Sequence, residues 1–344
     1  MLWITWRQFR AQTIVAAAAL AMTALVLGLA GLHIAHLYDS SGVATCHARG
    51  YCTAAVSNFL TQVNSSLVNH LPLLFGTALV AVPAIIGIFW GAPLLTRELE
   101  PGTHRLAWTQ GVTRTRWLAV NLTVIGLAAM AAAGLFSLLV TWSASPIDRV
   151  NMNWLQPAVF SERAIAPVGY AAFAVALGAA AGMLVRRTVP AMAVTLAVFT
   201  AVQFAMRALR QYLIAPVHLI SPITAVTSTS ITMSPSGADQ MSVTGGVNMP
   251  GAWILANDTI NAAGHAVNGI PITQTGALSL QTCGAAQGNS PACLAALSKS
   301  GYRQLVTYQP ASRFWAFQWY ETAIFLALAL ALAGFCLWRI RRLS

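Results

Sequence analysis

The sequence predicts an all-α integral membrane protein with six transmembrane helices, cytoplasmic N- and C-termini, and an extracytoplasmic α+β domain of about 100 residues between helices 5 and 6. Three observations lead to this prediction. Of the 344 residues, 57% are hydrophobic and only 8% are charged, whereas a soluble domain carries about 25% charged residues. The apolar residues form long blocks, and the basic residues between these blocks are distributed asymmetrically.

Six apolar segments are long enough to cross a hydrocarbon core of about 30 Å as helices. They cover residues 13–35, 71–95, 117–142, 164–185, 189–206 and 314–338. The first is longer than the apolar core of a signal peptide and no clear cleavage motif follows it, so a retained helix is favoured over a cleaved signal. In the fourth, Gly178 and Gly182 have the spacing of close helix packing, although such spacing also arises by chance in Gly- and Ala-rich spans.

The orientation follows from the basic residues in the connections, because these residues are retained on the cytoplasmic side. Eleven of the 19 lie in short connections on one side: Arg7, Arg10, Arg97, Arg105, Arg114, Arg116, Arg186, Arg187, Arg339, Arg341 and Arg342. The other eight are spread over roughly 160 positions on the opposite side: Arg49, Arg149, Arg163, Arg207, Arg210, Lys299, Arg303 and Arg313. The first side is therefore predicted to be cytoplasmic, and six crossings place both termini there.

Four of the five cysteines fall into two close pairs on the predicted outer side, where disulfides persist. Cys46 and Cys52 lie in the first outer connection, and Cys283 and Cys293 lie in the last. Two short-range disulfides are predicted; the alternative is free thiols whose even distribution is accidental. Cys336 lies near the inner end of the sixth span.

These features divide the chain into four parts. Residues 1–12 form a cytoplasmic interfacial helix, 13–206 form spans 1–5 with a cytoplasmic loop at 96–116, 207–313 form the outer domain, and 314–344 form span 6 with a cytoplasmic tail. The outer segment is rich in Ser, Thr, Gly and Asn. Its pattern predicts short strands at 252–255 and 304–308 and a short helix at 291–298.

The cytoplasmic loop at 96–116 contains a short amphipathic segment. Thr103 is a suitable N-cap after the turn at Gly102, and Gly111 can end the helix about 10 Å later. Acidic residues, Glu98 and Glu100, precede it and arginines follow it. A helix of this size can dock into a groove on a cytoplasmic partner. The alternative is an ordinary charged turn between two spans.

The N-terminal segment has the pattern of a helix that lies in the inner headgroup layer and contacts membrane lipid. At 100° per residue, Leu2, Trp6 and Phe9 share one face. Its remaining aromatic and basic residues are Trp3, Arg7 and Arg10. The alternative is a plain membrane anchor for the first span.

Three stretches resemble permeases of the type-2 ABC exporter class, in a bacterial, Arg-rich branch that is actinobacterial-like. In the loop, the matching residues are Glu98, Gly102, Thr103, Leu106, Thr109, Thr113 and Arg114. The other two stretches are the N-terminal decapeptide with Trp3, Trp6, Arg7 and Arg10, and the entry to the sixth span at 308–319. The outer domain departs from the short outer loop that is commoner in the family, so no role is carried over to it.

The resemblance implies a membrane subunit that forms a translocation path in a bacterial plasma membrane as a dimer, with a second copy or a similar permease. Separate ABC ATPase subunits, which bind ATP and Mg²⁺, would dock on the 103–111 helix and the N-terminal helix. The sequence agrees with a separate ATPase subunit, because it contains no phosphate-binding loop of the Walker A type and no Gly-Lys pair. The chain itself is therefore predicted to bind no cofactor and to catalyse no reaction.

Other functions have weaker support in the sequence. The net charge of +11 does not indicate a nucleic-acid partner, because no recognisable nucleic-acid-binding module accompanies it. No metal site is predicted, since only two of the histidines near the end of span 1, His33 and His36, share a helix face. The alternatives that remain open are a non-transporting sensor that uses the outer domain and an ion-coupled antiporter.

One acidic residue, Glu321, lies well inside an apolar span, where a lone carboxylate is costly. Gln203, Arg207 and Arg210 form a polar stripe at positions i, i+4 and i+7 of the fifth span. Glu321 is predicted to face one of these arginines or a polar cavity. The pair would serve either as part of an exit path or as a structural ion pair that holds the outer domain.

Overall fold

The computed structural model describes residues 2–46, 52–65, 67–99, 113–223, 228–237, 240–247, 249–271, 278–283 and 291–342. The chain divides into two compact units. We call the first the helical unit; it comprises Met1–Asn151, Gln156–Arg210 and Trp315–Ser344. We call the second the sheet unit; it comprises Met152–Leu155 and Gln211–Phe314.

The helical unit consists of long helices and several shorter ones. They are α1 (Leu2–Ser40), α2 (Val43–Cys46), α3 (Thr53–Ser65), α4 (Leu67–Ile86), a π-helix (Gly87–Gly91), α5 (Ala92–Leu99), α6 (Arg114–Asn151), α7 (Pro157–Phe160), α8 (Ala166–Val185), α9 (Thr188–Leu209) and α12 (Phe314–Arg341). In the described part of the chain, five helices are long and apolar enough to cross a membrane. A sixth span results if the bent pair His70–Gly76 and Ala81–Thr96 is one crossing.

Two of the helices extend well beyond the apolar blocks that predict them. The first block ends at residue 35 and the third at residue 142, but α1 continues to Ser40 and α6 to Asn151. At 1.5 Å per residue, helices of 39 and 38 residues are roughly 55–60 Å long, about twice the thickness of the hydrocarbon core. An apolar block marks the hydrocarbon-facing part of a helix and not its ends, which explains the difference.

The centre of the helical unit is α8, a helix made mostly of Ala and Gly. Nearly all of its residues are buried, whereas the other spans expose most of theirs. Gly178 allows α8 to approach the π-helix closely: a Cβ at this position would lie 2.4 Å from the backbone oxygen of Gly87 and 2.7 Å from the nitrogen of Ala92. Gly182 allows a close approach one turn later, where a Cβ would lie 2.7 Å from the backbone oxygen of Ala92. The predicted pair of glycines is therefore a site of close helix packing.

The connection between the first two spans contains the predicted disulfide and a short helix, α3, that was not predicted from the sequence. A disulfide joins Cys46 to Cys52, with their Cα atoms 5.6 Å apart, and α3 follows directly. Phe59 of α3 is fully buried and packs edge-to-face on Tyr38 of α1, with ring centroids 5.7 Å apart. Only four of the 13 residues of α3 are aromatic or branched aliphatic, so the apolar signal of this short helix is weak.

The sheet unit contains two antiparallel three-stranded sheets. The strands are β1 (Val217–Pro222), β2 (Ser228–Gly237), β3 (Gln240–Val247), β4 (Trp253–Ile260), β5 (Ile270–Pro271) and β6 (Arg303–Gln309), in the orders β1-β6-β4 and β2-β3-β5. Two short helices, α10 (Leu280–Cys283) and α11 (Pro291–Lys299), complete the unit. The predicted strands lie within or overlap β4 and β6, and the predicted helix lies within α11.

The disulfide between Cys283 and Cys293 joins α10 to α11, with their Cα atoms 5.0 Å apart. Both cysteines are fully buried, and they belong to an apolar core with Ile270, Leu294 and Leu297. In a unit with so small a core, a covalent link of this kind contributes much of the stability.

Replacing both of these cysteines with serine is expected to destabilise the sheet unit by about 2–4 kcal/mol, because the link no longer restricts the unfolded chain. The measurement is the rate of limited proteolysis within the sheet unit. The matched control is Cys46→Ser with Cys52→Ser, which removes the disulfide of the helical unit and should leave that rate unchanged. Equal rates in all three proteins would show that the Cys283–Cys293 link is dispensable.

Candidate functional site

A buried ion pair joins the end of α9 to α12. Arg210 Nε donates to Glu321 Oε2 at 2.8 Å, and Arg210 Nη2 donates to Glu321 Oε1 at 2.9 Å. The two side chains are 1% and 0% exposed. A bidentate pair of this geometry is the strongest form of Arg–carboxylate contact, and it compensates two charges that would otherwise be very costly inside the protein.

The remaining polar atoms of this pair have partners from α7 and α8. Arg210 Nη2 also donates to Ser161 Oγ at 2.9 Å, and the guanidinium lies 4.2 Å from the ring centroid of Phe160. The Tyr170 hydroxyl donates to Glu321 Oε1. The cluster is therefore a network in which four helical segments meet, and both carboxylate oxygens of Glu321 accept hydrogen bonds in it.

One turn before Glu321, Gln318 ties α12 to the start of α8. Its Oε1 accepts a hydrogen bond from the backbone N–H of Ala166 at 2.9 Å, and its Nε2 donates to the backbone oxygen of Phe160 at 3.2 Å. The first of these bonds satisfies one of the N–H groups that a helix leaves unpaired at its N-terminus. Gln318 is fully buried, so this contact and the ion pair together fix the position of α12.

A second group of charges surrounds the segment before α8. Arg163 Nε donates to Asp148 Oδ2 of α6 at 3.1 Å. The neighbouring Glu162 is only 3% exposed, and neither ion pair found among the described residues includes it. Burial raises the pKa of Glu162 to about 7, although the positive charges of Arg163 and Arg207 act in the opposite direction.

The three residues of the polar stripe that the sequence predicts on the fifth span have different surroundings in the structure. Of Gln203, Arg207 and Arg210, only Arg210 contacts Glu321. Gln203 is buried, and its Nε2 has no hydrogen-bond partner among the described residues. The charge of Arg207 acts on Glu162 instead.

Sequence reasoning missed Ser161, Glu162, Tyr170 and Gln318, as well as the pair between Asp148 and Arg163. It assigned the arginine at 163 to an outer connection, and it treated Glu321 as the one acid within the apolar spans. The signal that was available is the run Ser161-Glu162-Arg163 directly before an apolar span. Three consecutive polar residues at such a boundary are either solvated or, as here, buried against neighbouring helices.

An apolar cavity of about 620 Å³ lies between α1, α4 with its π-helix, and α6. Val15, Leu20, Phe75, Phe89, Trp90 and Phe136 are among the residues that line it. Thr23 is the one polar side chain among the described lining residues, and its hydroxyl already donates to the backbone oxygen of Ala19 at 2.8 Å. The size is typical of a ligand pocket, and the lining can accept apolar groups but no charge.

The predicted coupling residues are only partly described. Glu100, Gly102, Thr103, Leu106 and Thr109 lie outside the described residues, whereas Thr113 is exposed just before α6. For Glu98 at the end of α5 and Arg114 at the start of α6, the structure describes the backbone alone. The same holds for Trp3, Trp6, Arg7 and Arg10, whose backbone continues without a break into the first span as part of α1. Their roles stay predictions.

Comparison with known families identifies the helical unit. The family model described as "ABC-2 membrane transporter related" matches residues 17–210, which is more than half of the chain. The match runs from the first span through α9 and ends at Arg210. Comparisons with curated proteins and with solved structures found no significant match. Together with five or six candidate spans, the match shows a multi-pass membrane protein of the ABC-2 type, and the chain belongs to the ABC-2 membrane transporter related family.

Proposed function

We propose that this chain is the permease subunit of an ATP-driven exporter in a bacterial plasma membrane, with both termini in the cytoplasm and the sheet unit outside. The single observation that carries the proposal is the family match over 17–210, which covers the candidate spans up to α9. We assign the chain to the Arg-rich, actinobacterial-like branch on the residues quoted above. Two copies, or one copy with a similar permease, form the path.

In this proposal the chain catalyses no reaction, and ATP and Mg²⁺ are bound by separate ATPase subunits. These subunits dock on the 103–111 segment and on the N-terminal helix. The 103–111 segment lies between α5 and α6, and α5 continues backwards through the π-helix into α4. A displacement of the docking segment is therefore passed directly to the helix that forms one wall of the apolar cavity.

The cavity supports an amphipathic or lipid-like cargo. Its walls come from three different helices, and the described lining residues carry no charge. Phe89 and Trp90 belong to the π-helix, and local π-helical turns are frequent at functional sites. A change in the π-helix during the ATPase cycle would move two aromatic side chains that contact the cargo.

The buried pair of Arg210 and Glu321 serves a structural role in this proposal. Both side chains are enclosed, and Arg210 and Tyr170 both donate hydrogen bonds to the Glu321 carboxylate. A residue of an exit path would need contact with water or cargo. The pair instead holds α9 and α12 at fixed positions beside α8.

Co-purification with a candidate ATPase tests the proposal. Glu98→Ala and Leu106→Asp are expected to weaken the complex and its ATPase activity, because both changes fall in the cytoplasmic loop at 96–116 that contains the docking segment. The control is Leu219→Asp, which places the same charge on an exposed position of β1 and should leave the complex intact. If neither change in this loop weakens the complex, the assignment of the docking segment is wrong.

A further inference from the structure

Glu162 has no role in the proposed transport cycle, yet its surroundings are unusual for a carboxyl group. Its backbone N–H donates to the backbone oxygen of Val159 at 3.1 Å, which fixes the residue in a turn after α7. The side chain points into the helical unit, where it is 3% exposed. A buried carboxyl that belongs to neither of the ion pairs formed by the described residues is much cheaper to keep in its neutral form.

The carboxyl group of Glu162 packs against α4 at Gly76. A Cβ at position 76 would lie 2.2 Å from Glu162 Oε2 and 3.0 Å from Cδ. The carboxyl therefore occupies the space that the Cβ atom of any other residue at position 76 would need. Gly76 is the last residue of the segment His70–Gly76, which differs in direction by 43° from the following segment Ala81–Thr96.

The charged groups around Glu162 come from three elements. Arg163 lies beside it in the same segment, and the charges of Arg207 in α9 and Asp148 in α6 also act on it. His70, the titratable residue described in α4, contacts the backbone oxygen of Asn64 at 3.4 Å instead. The two arginines favour an ionised Glu162, whereas burial and Asp148 favour the neutral form, and burial is the largest effect.

We propose that Glu162 is a proton-binding site that controls the packing of α4. The neutral carboxyl rests on Gly76, and loss of its proton to solvent leaves a carboxylate that turns away from the uncharged backbone of α4 towards Arg207 or Arg163. The contact at Gly76 is then lost, and the segments His70–Gly76 and Ala81–Thr96 are free to change the angle between them. Protonation restores the contact.

The position of Glu162 gives this switch a consequence for transport, which rests on the proposed function. Because α4 continues through the π-helix and α5 to the 103–111 segment, a change in the α4 bend alters the docking surface of the ATPase. The connection 152–165 is on the predicted outer side, so the external pH would regulate the exporter. Proton binding itself does not depend on an ATPase.

The first experiment measures protonation of Glu162 directly, by infrared titration of the carboxyl band of the full chain in lipid nanodiscs. We expect a carboxyl that titrates near pH 7 in the wild type and is missing in Glu162→Gln. Arg207→Gln should move this titration to higher pH, because it removes a positive charge that favours ionisation. The control is Asp258→Asn, which alters an exposed carboxyl of the sheet unit. This variant should show the same titration near pH 7 as the wild type.

The second experiment measures the packing of α4 by the distance between spin labels at Ile85 of α4 and Leu184 of α8, both exposed, in a Cys336→Ala background. Between about pH 5.5 and about pH 8.5, the distance distribution should shift in the wild type. Glu162→Gln should keep the low-pH distribution at both values, and Gly76→Ala should show the high-pH distribution at both.

These outcomes separate the switch from the proposed function. A titration of Glu162 near its ordinary pKa of 4.5, or a wild-type distance that does not change with pH, would overturn the proposal. Neither measurement requires an ATPase, so a failure of the exporter assignment leaves both results interpretable. A third measurement, the pH dependence of the ATPase activity of the complex, tests the link to transport. If the first two measurements agree with the proposal but Glu162→Gln does not change this pH dependence, only the link to transport is wrong.

Discussion

Replacing Glu321 with alanine is expected to destabilise the helical unit by about 3–5 kcal/mol, because Arg210 remains as an uncompensated charge inside the protein. Arg210 is 1% exposed, so its guanidinium cannot reach water without a rearrangement of α9. Tyr170 also loses its acceptor. The measurement is thermal unfolding of the purified protein in detergent, together with the yield of folded protein in the membrane fraction.

Three further variants show whether this loss comes from the pair. Arg187→Ala, which removes an exposed arginine, is the control and should change stability by less than about 0.5 kcal/mol. The exchange Arg210→Glu with Glu321→Arg should recover part of the lost stability, because the two charges are paired again. The recovery should be incomplete, because Ser161 and Tyr170 are positioned to bond the original arginine and carboxylate. If Glu321→Ala is as stable as the control, the buried pair contributes nothing.

The double variant Arg210→Met with Glu321→Met separates a structural role from a role in transport. Replacing both members of a buried ion pair with apolar residues of similar volume is often neutral or stabilising. We therefore expect this variant to fold well and, if the pair is structural, to transport cargo at the wild-type rate. A folded protein without transport would show that the charges take part in the exit path.

Replacing Gly178 with alanine is expected to destabilise the protein by about 1–3 kcal/mol through overpacking. The added Cβ would lie 2.4 Å from the backbone oxygen of Gly87, 2.7 Å from the nitrogen of Ala92 and 2.8 Å from the carbonyl carbon of Gly91. All three atoms belong to backbone, so no side chain can rotate to make room. The π-helix must move away from α8, and we expect a lower unfolding temperature.

Gly126→Ala is the matched control, because Gly126 lies inside α6 and a Cβ there would have no neighbouring atom within 4 Å. This change should stabilise the protein by about 0.5–1 kcal/mol, as alanine favours the helix and restricts the unfolded chain. The two substitutions are chemically identical and have opposite expected signs. A loss of stability of equal size in both variants would mean that the approach between α8 and the π-helix is not the cause.

The helices that cross the membrane were largely predictable. Each apolar block corresponds to a described helix or, for the second block, to α4 with the π-helix and α5. The disulfides were predictable for a similar reason, since Cys46 with Cys52 and Cys283 with Cys293 are close in sequence. Strands β2 and β3 were not predicted because they are rich in Ser, Thr and Gly and contain few large apolar residues.

The candidate site could be predicted only in part. An acid in an apolar span requires a partner, and this rule placed Glu321 with the arginines of the fifth span. It could not choose between Arg207 and Arg210, because one helix turn decides which of them faces α12. The structure places Arg210 there, and it places the charge of Arg207 near Glu162.

The sequence by itself thus determined which segments lie in the membrane and that Glu321 needs a compensating charge. Local composition decides both, because transfer of apolar and charged groups out of water depends on the residue and its immediate neighbours. The tertiary structure alone decided that Tyr170 and Ser161 complete the network and that Glu162 contacts Gly76. These residues come from α4, α8 and the connection before α8, and their proximity depends on how closely the small residues of α8 let these elements approach.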